Sequence, residues 1–123
     1  MPGQTPPSAL RLSETSCQLQ TMRALVHDAA RRLQRALALQ NREELSSIGF
    51  AIAMNDLKLS ASQMVVDIVT RALRICGTAG YRNDHKLSLT RHLRDAHSAA
   101  LMIGNDRIHA GSAALHLVYK DDA

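Results

Sequence analysis

The residues best suited to chemistry lie between Arg74 and Arg107. Gly77-Thr78-Ala79-Gly80 is a short turn with two glycines, preceded by Arg74 and followed by Tyr81. Glycines let a backbone approach a phosphate closely, and neighbouring arginines supply charge-assisted hydrogen bonds. The same glycines also suit a plain helix cap and loop, so the turn alone leaves both readings open. Residues 71 to 94 add Arg71, Arg74, Arg82, Lys86, Arg91 and Arg94, against Asp84 alone. Arg91 and Arg94, three apart, are neighbours on one helix face. With Asp95 they form either a surface ion pair or part of an anion site.

Other chemistries find less support. Six histidines (His27, His85, His92, His97, His109, His116) include no pair at i, i+4 around a glutamate, so no metal site is expected. No motif sets a serine or cysteine nucleophile beside a base. Cys76 sits at a helix end, where a small residue packs well. Cys17 and Cys76 lack metal or redox spacing and read as reduced thiols of a cytoplasmic protein. The formal net charge of +4 suits anionic partners in general. Against nucleic acid stand the missing recognition-helix pattern and the scarcity of stacking aromatics. The apolar runs are too short for a membrane span, and the N-terminus lacks an apolar signal core.

The elements that must position these residues read as helices. At 123 residues the chain fits one domain. Its aromatics are Phe50, Tyr81 and Tyr119, so the core must come from Leu, Ile, Val, Met and Ala, which favours an all-α fold. Residues 1–12 hold all three prolines and read as a disordered tail, with residues 13–123 as the helical domain. Ser13 is placed to cap a first helix running to about Gln40, with Leu19, Met22, Val26, Ala29, Leu33 and Ala36 as its apolar stripe. A second helix spans about Glu43 to Cys76, buried through Leu57, Ala61, Met64, Val65, Ile68, Ala72 and Ile75. Asn55, Asp56 and Lys58 interrupt it with a polar patch facing solvent or a cofactor. Gly77 ends it, and Thr78 to Leu87 is a loop. Ser88 caps a third helix, Gly104 closes it, and Asn105 or Asp106 caps a fourth. Four helices with short connections predict an antiparallel bundle.

The order of the motifs carries a resemblance. Ala72-Leu73-Arg74-Ile75-Cys76-Gly77-Thr78-Ala79-Gly80-Tyr81 is followed by Arg91-His92-Leu93-Arg94-Asp95-Ala96. Ile103-Gly104-Asn105-Asp106-Arg107-Ile108 comes last. The segment resembles the C-terminal helical domain of the acyl-CoA dehydrogenase family and its flavin monooxygenase relatives. There a helix ends in Ala-Leu-Gln-Ile-x-Gly-Gly-x-Gly-Tyr, a later helix carries Arg-x-x-Arg-Asp-Ala, and a Glu-Gly-Thr-Asn-Glu-Ile turn opens the last helix. Residues 13 to 71 fit the preceding family helices in pattern only.

The resemblance implies an FAD site shared between subunits, in a homo-oligomer or a larger flavoprotein. By that comparison Arg74, Gly77, Thr78, Ala79 and Gly80 approach the cofactor around its pyrophosphate and adenosine part, and Asn105 and Asp106 lie near the flavin. Arg91, Arg94 and Asp95 are mainly structural. The implied reactions are dehydrogenation of an acyl thioester and flavin-dependent oxygenation. Three departures bear on chemistry. Arg74 replaces the family glutamine, and Thr78 the second glycine. Ile103 stands where many dehydrogenases carry the glutamate that removes the substrate α-proton, so no catalytic residue is assigned. A complete family member also has an amino-terminal helical domain and a central β-domain, neither of which is in these 123 residues. The chain is therefore expected to be inactive alone. The alternative is a non-enzymatic helical interaction module.

Overall fold

The structure is a computed structural model describing residues 6–102 and 104–120, with only the backbone of Met102. Every element among the described residues is helical, as the composition predicts.

Helix α1 (Pro7–Ala38) begins six residues before the predicted Ser13 start. Pro6 and Pro7, read as helix-breaking, instead open the helix, and Pro2 lies outside the described residues. Pro7 takes the first helical position, where a missing N–H costs nothing and its fixed φ is already helical. Pro6 is extended, and its carbonyl accepts from Ala9 and Leu10. At the far end the chain reverses through Gln40, at φ 50°.

The predicted second helix divides at its serines. A single turn, α2 (Arg42–Leu45), precedes α3 (Ile48–Cys76). The Ser46 hydroxyl donates to the Arg42 carbonyl at 2.7 Å and the Ser47 hydroxyl to Glu44 at 2.8 Å. Such local bonds offer the backbone an alternative to a continuing helix. Ser47 also caps α3 by accepting from the Phe50 N–H at 3.0 Å.

Gly77 ends α3 as predicted, at φ 61°. The segment read as a loop starts with one helical turn, α4 (Thr78–Tyr81), pinned when Leu89 N–H donates to the Gly80 carbonyl at 2.7 Å. Helix α5 runs Thr90–Met102. Its first carbonyl is that of Leu89, which accepts from Leu93, while the Ser88 hydroxyl faces the Thr90 hydroxyl. Helix α6 (Asn105–Val118) is capped by Gly104, not by Asn105 or Asp106. Gly104 sits at φ 75°, a conformation that favours glycine, and the Asn105 side chain is engaged elsewhere.

Helix α3 is the common partner of all the others. Two rungs set α1 antiparallel to it: Arg71 pairs with Glu14 at 2.5 Å, and Arg32 lies over the Phe50 ring. Helices α5 and α6 follow one another along another side of α3. Gly80 packs near Leu89 at one end, Lys58 meets Ala99 and Asn105 in the middle, and Tyr119 lies against Gly49 at the other end. The exposed positions Asp56, Gln63, Asp67 and Arg74 mark the one polar stripe left on α3.

Burial is thin. Ala36, Phe50, Ile52, Leu59 and Ala96 are the buried apolar residues among those described. The chain presents 9367 Å² of accessible surface, whereas a compact monomer of its mass presents about 6,500 Å².

Candidate functional site

The glycine turn combines one open position with one packed one. Arg74 lies in the last turn of α3, on the exposed stripe, without a carboxylate partner among the described residues. Three residues later Gly77 is exposed, and a Cβ built on it would meet nothing within 4 Å. Its positive φ and ψ of −142° disfavour any other residue. The backbone therefore demands glycine there while leaving the space above it free. Thr78 is also exposed. Gly80 differs: it is buried, and an added Cβ would lie 2.8 Å from Cys76 Cβ and 3.2 Å from Leu73 Cδ1. Its small size lets α4 fold back onto α3.

The cations around this turn divide into two groups. Arg71 is taken by Glu14, and Arg91 faces Asp95 on its own helix at 3.9 Å. Arg82 grips Asp84 through two bonds of 3.0 and 2.8 Å. That guanidinium, followed by a backbone hydrogen bond, holds the Asp84 carboxyl below its ordinary range. Arg74, Lys86 and Arg94 have no such partner among the described residues. Arg94 instead lines a hollow of about 430 Å³ with Tyr81, Asn83, Thr90, Leu93 and His97. Thr90 and Asn83 tie its rim together at 2.6 Å. The hollow adjoins the glycine turn, because Tyr81 closes α4.

The second motif lies far away. Asn105 and Asp106 open α6, and Asp106 is exposed. The Asn105 amide oxygen accepts from Lys58 Nζ at 2.7 Å. The same ammonium donates to the Ala99 carbonyl in the last turn of α5 at 2.7 Å, and to the Ser62 hydroxyl at 3.1 Å. Lys58 thus neutralises the carbonyl end of α5 and fixes the start of α6 with one side chain. Lys58 does not face solvent or a cofactor, as its place in the polar patch suggested; it faces the α5–α6 joint. The signal available in the sequence was a lysine within an apolar helix, which must find acceptors if it is to sit partly buried. Nineteen residues of α3 separate Lys58 from Gly77, about 28 Å along the helix axis. The structure does not bring the glycine turn and the Asn105–Asp106 turn together within one chain. Ile103, which the resemblance sets where many dehydrogenases carry a glutamate, lies outside the described residues.

Both cysteines are free, Cys17 exposed and Cys76 half-buried. No described helix is long and apolar enough to cross a membrane. The family model described as acyl-CoA dehydrogenase, C-terminal domain, matches residues 3–117. No curated protein and no solved structure gives a significant match to the chain.

Proposed function

Because the chain belongs to the acyl-CoA dehydrogenase family through its C-terminal helical domain, we propose that it is the cofactor-bridging helical part of a flavin-linked oxidoreductase. FAD, the cofactor of that family, supplies the redox chemistry when bound. The reaction class is dehydrogenation of an acyl thioester or flavin-dependent oxygenation. The residues fit the cofactor unevenly. Arg74 offers a phosphate a guanidinium without a carboxylate partner among the described residues, Gly77 an unobstructed backbone, and the exposed Thr78 a hydroxyl. Gly80 and Asn105 act at one remove: Gly80 seats the turn on α3, and Asn105 holds the α6 turn through Lys58. Asp106, exposed and without an ion-pair partner among the described residues, is the polar group turned to the flavin.

The observation that carries the sharing of FAD between chains is the separation of the two turns. Set about 28 Å apart along the α3 axis, they serve two cofactors more readily than one. Each chain would hold the adenosine end of one FAD with its glycine turn and approach the flavin of another with Asp106. The chain alone then has no complete site and no turnover.

The test is mass and colour with and without FAD. The reading predicts a yellow protein whose mass by light scattering rises beyond that of the FAD-free chain. Arg74→Ala should weaken FAD binding about 10- to 100-fold, the loss of one charged hydrogen bond. A colourless protein of unchanged mass would favour the non-enzymatic interaction module, a reading to which the thin burial also lends weight.

A further inference from the structure

A hollow of about 470 Å³ lies at the end of the molecule away from the glycine turn, a size that suits a small ligand. It forms because α1 ends in a sharp reversal. Gln40, at φ 50°, turns the chain back. Asn41 and Glu44, around the α2 turn, then close a space whose other wall is the last two turns of α1. That wall carries Arg31, Arg32 and Arg35, at i, i+1 and i+4. Twenty-seven residues of α3 separate Phe50, which underlies Arg32, from Gly77, about 40 Å along the helix axis.

The three guanidiniums have too few partners. Arg32 is held in place: its Nε donates to Glu44 Oε1 at 2.9 Å, and the buried Phe50 ring lies 5.4 Å from its Cζ. This fixes one edge and one face and leaves both Nη groups to donate elsewhere. Arg31 and Arg35 are exposed and have no carboxylate partner among the described residues. Four residues apart on one helix, they repel each other. Hydrogen bonding to the end of α1 does not account for Arg35. The carbonyls of Arg35, Ala36 and Leu37 already accept from the N–H groups of Leu39, Asn41 and Gln40. Asn41 commits its side-chain oxygen to the Glu44 N–H at 3.0 Å, which leaves its amide group as a further donor.

We propose that this hollow binds a phosphate monoester dianion that carries a small apolar group. Glu44 offsets Arg32, so a dianion balances Arg31 and Arg35. Asp28 also lines the hollow, but it forms no ion pair with these arginines and is shared with the neighbouring hollow on the α3 side. A phosphate concentrates two negative charges and three acceptor oxygens at one centre. Guanidiniums meet such oxygens edge-on, with two parallel bonds each. A dicarboxylate divides its charge between two separated groups, whereas the three arginines lie within five residues of one helix. Ala36 and the exposed Leu39 supply the wall for the apolar group. The site uses none of the residues assigned to FAD and stands apart from that reading.

Calorimetric titration of the full chain with phenyl phosphate tests the proposal. Binding should saturate, and should be about fivefold tighter than that of inorganic phosphate, which has no group to set against Leu39. Arg31→Gln and Arg35→Gln should each weaken binding about tenfold, the loss of one charged hydrogen bond. Both residues are exposed, and circular dichroism should stay helical. Arg23→Gln removes an exposed cation of α1 outside the hollow and should leave the affinity unchanged. Arg74→Ala should do the same, which separates the fate of this site from that of the flavin site. No saturation at millimolar phenyl phosphate would overturn the proposal. An equal loss of affinity in Arg23→Gln and Arg31→Gln would also overturn it, since that marks general charge attraction. So would succinate bound as tightly as phenyl phosphate.

Discussion

Replacing Lys58 by Met tests how the two halves of the domain are joined. The substitution keeps the aliphatic stem against α3 and removes the ammonium. Three acceptors lose their donor: Ala99 O and Asn105 Oδ1, each at 2.7 Å, and Ser62 Oγ at 3.1 Å. A hydrogen bond to a charged group contributes about 1.5–3 kcal/mol, and a cation at a helix C-terminus about 0.3–1 kcal/mol. These terms overlap in one group, and solvent replaces part of what is lost. The expected destabilisation is about 2–3 kcal/mol, well above the change at an ordinary surface site. Urea unfolding should show it as a lower midpoint. Hydrogen exchange should show where it acts: amides at the start of α6 and the end of α5 should exchange faster, those of α1 much less. Asn105→Ala alone should cost less, and the double variant less than the sum of the two, since both remove one shared bond. A Lys58→Met chain within about 0.5 kcal/mol of wild type, with unchanged exchange around Asn105, would refute the clamp.

Other outcomes follow from the same geometry. Gly80→Ala should cost about 1–3 kcal/mol by thermal or urea unfolding, because its Cβ has no room beside Cys76. Gly77→Ala should cost about 1 kcal/mol through backbone strain alone, as the space around it is open. Ser47→Ala should cost about 1 kcal/mol by removing the α3 cap, read as a lower unfolding midpoint. Asp84, its folded pKa lowered first by Arg82, contributes its stabilisation above the unfolded carboxylate pKa. That contribution disappears as the pH falls through the folded value. Carboxyl NMR should show Asp84 titrating below an ordinary aspartate, and Arg82→Ala should return it towards the usual range.

The fold class was legible because apolar spacing and composition agree, and glycine at Gly77 marked a true helix end. Local chemistry misled where two uses of a residue compete. Pro7 breaks a helix interior but opens a helix well, so the same prolines fit a tail and an N-terminus. Asn105 looks like a cap until Lys58 claims its side chain, leaving the cap to Gly104. Serines at 46 and 47 divided a helix that periodicity alone would have run together. The glycine turn was found by motif order, but its two glycines meet different needs, one conformational and one steric. Tertiary partners decided that difference, and so did the role of Lys58. Of the apolar stripe on α1, Val26 and Leu33 are exposed, while Ala36 is buried.

The sharing of one FAD between two chains is tested most directly by complementation. Arg74→Ala and Asp106→Ala each damage a different half of the proposed site. FAD is titrated into each variant and into a mixture of the two refolded together, with flavin fluorescence as the readout. If the halves come from different chains, each variant alone binds weakly and the mixture regains a fraction of sites with wild-type affinity. That fraction arises in mixed assemblies that pair an intact Arg74 with an intact Asp106. A mixture no better than the average of the two variants would contradict the account.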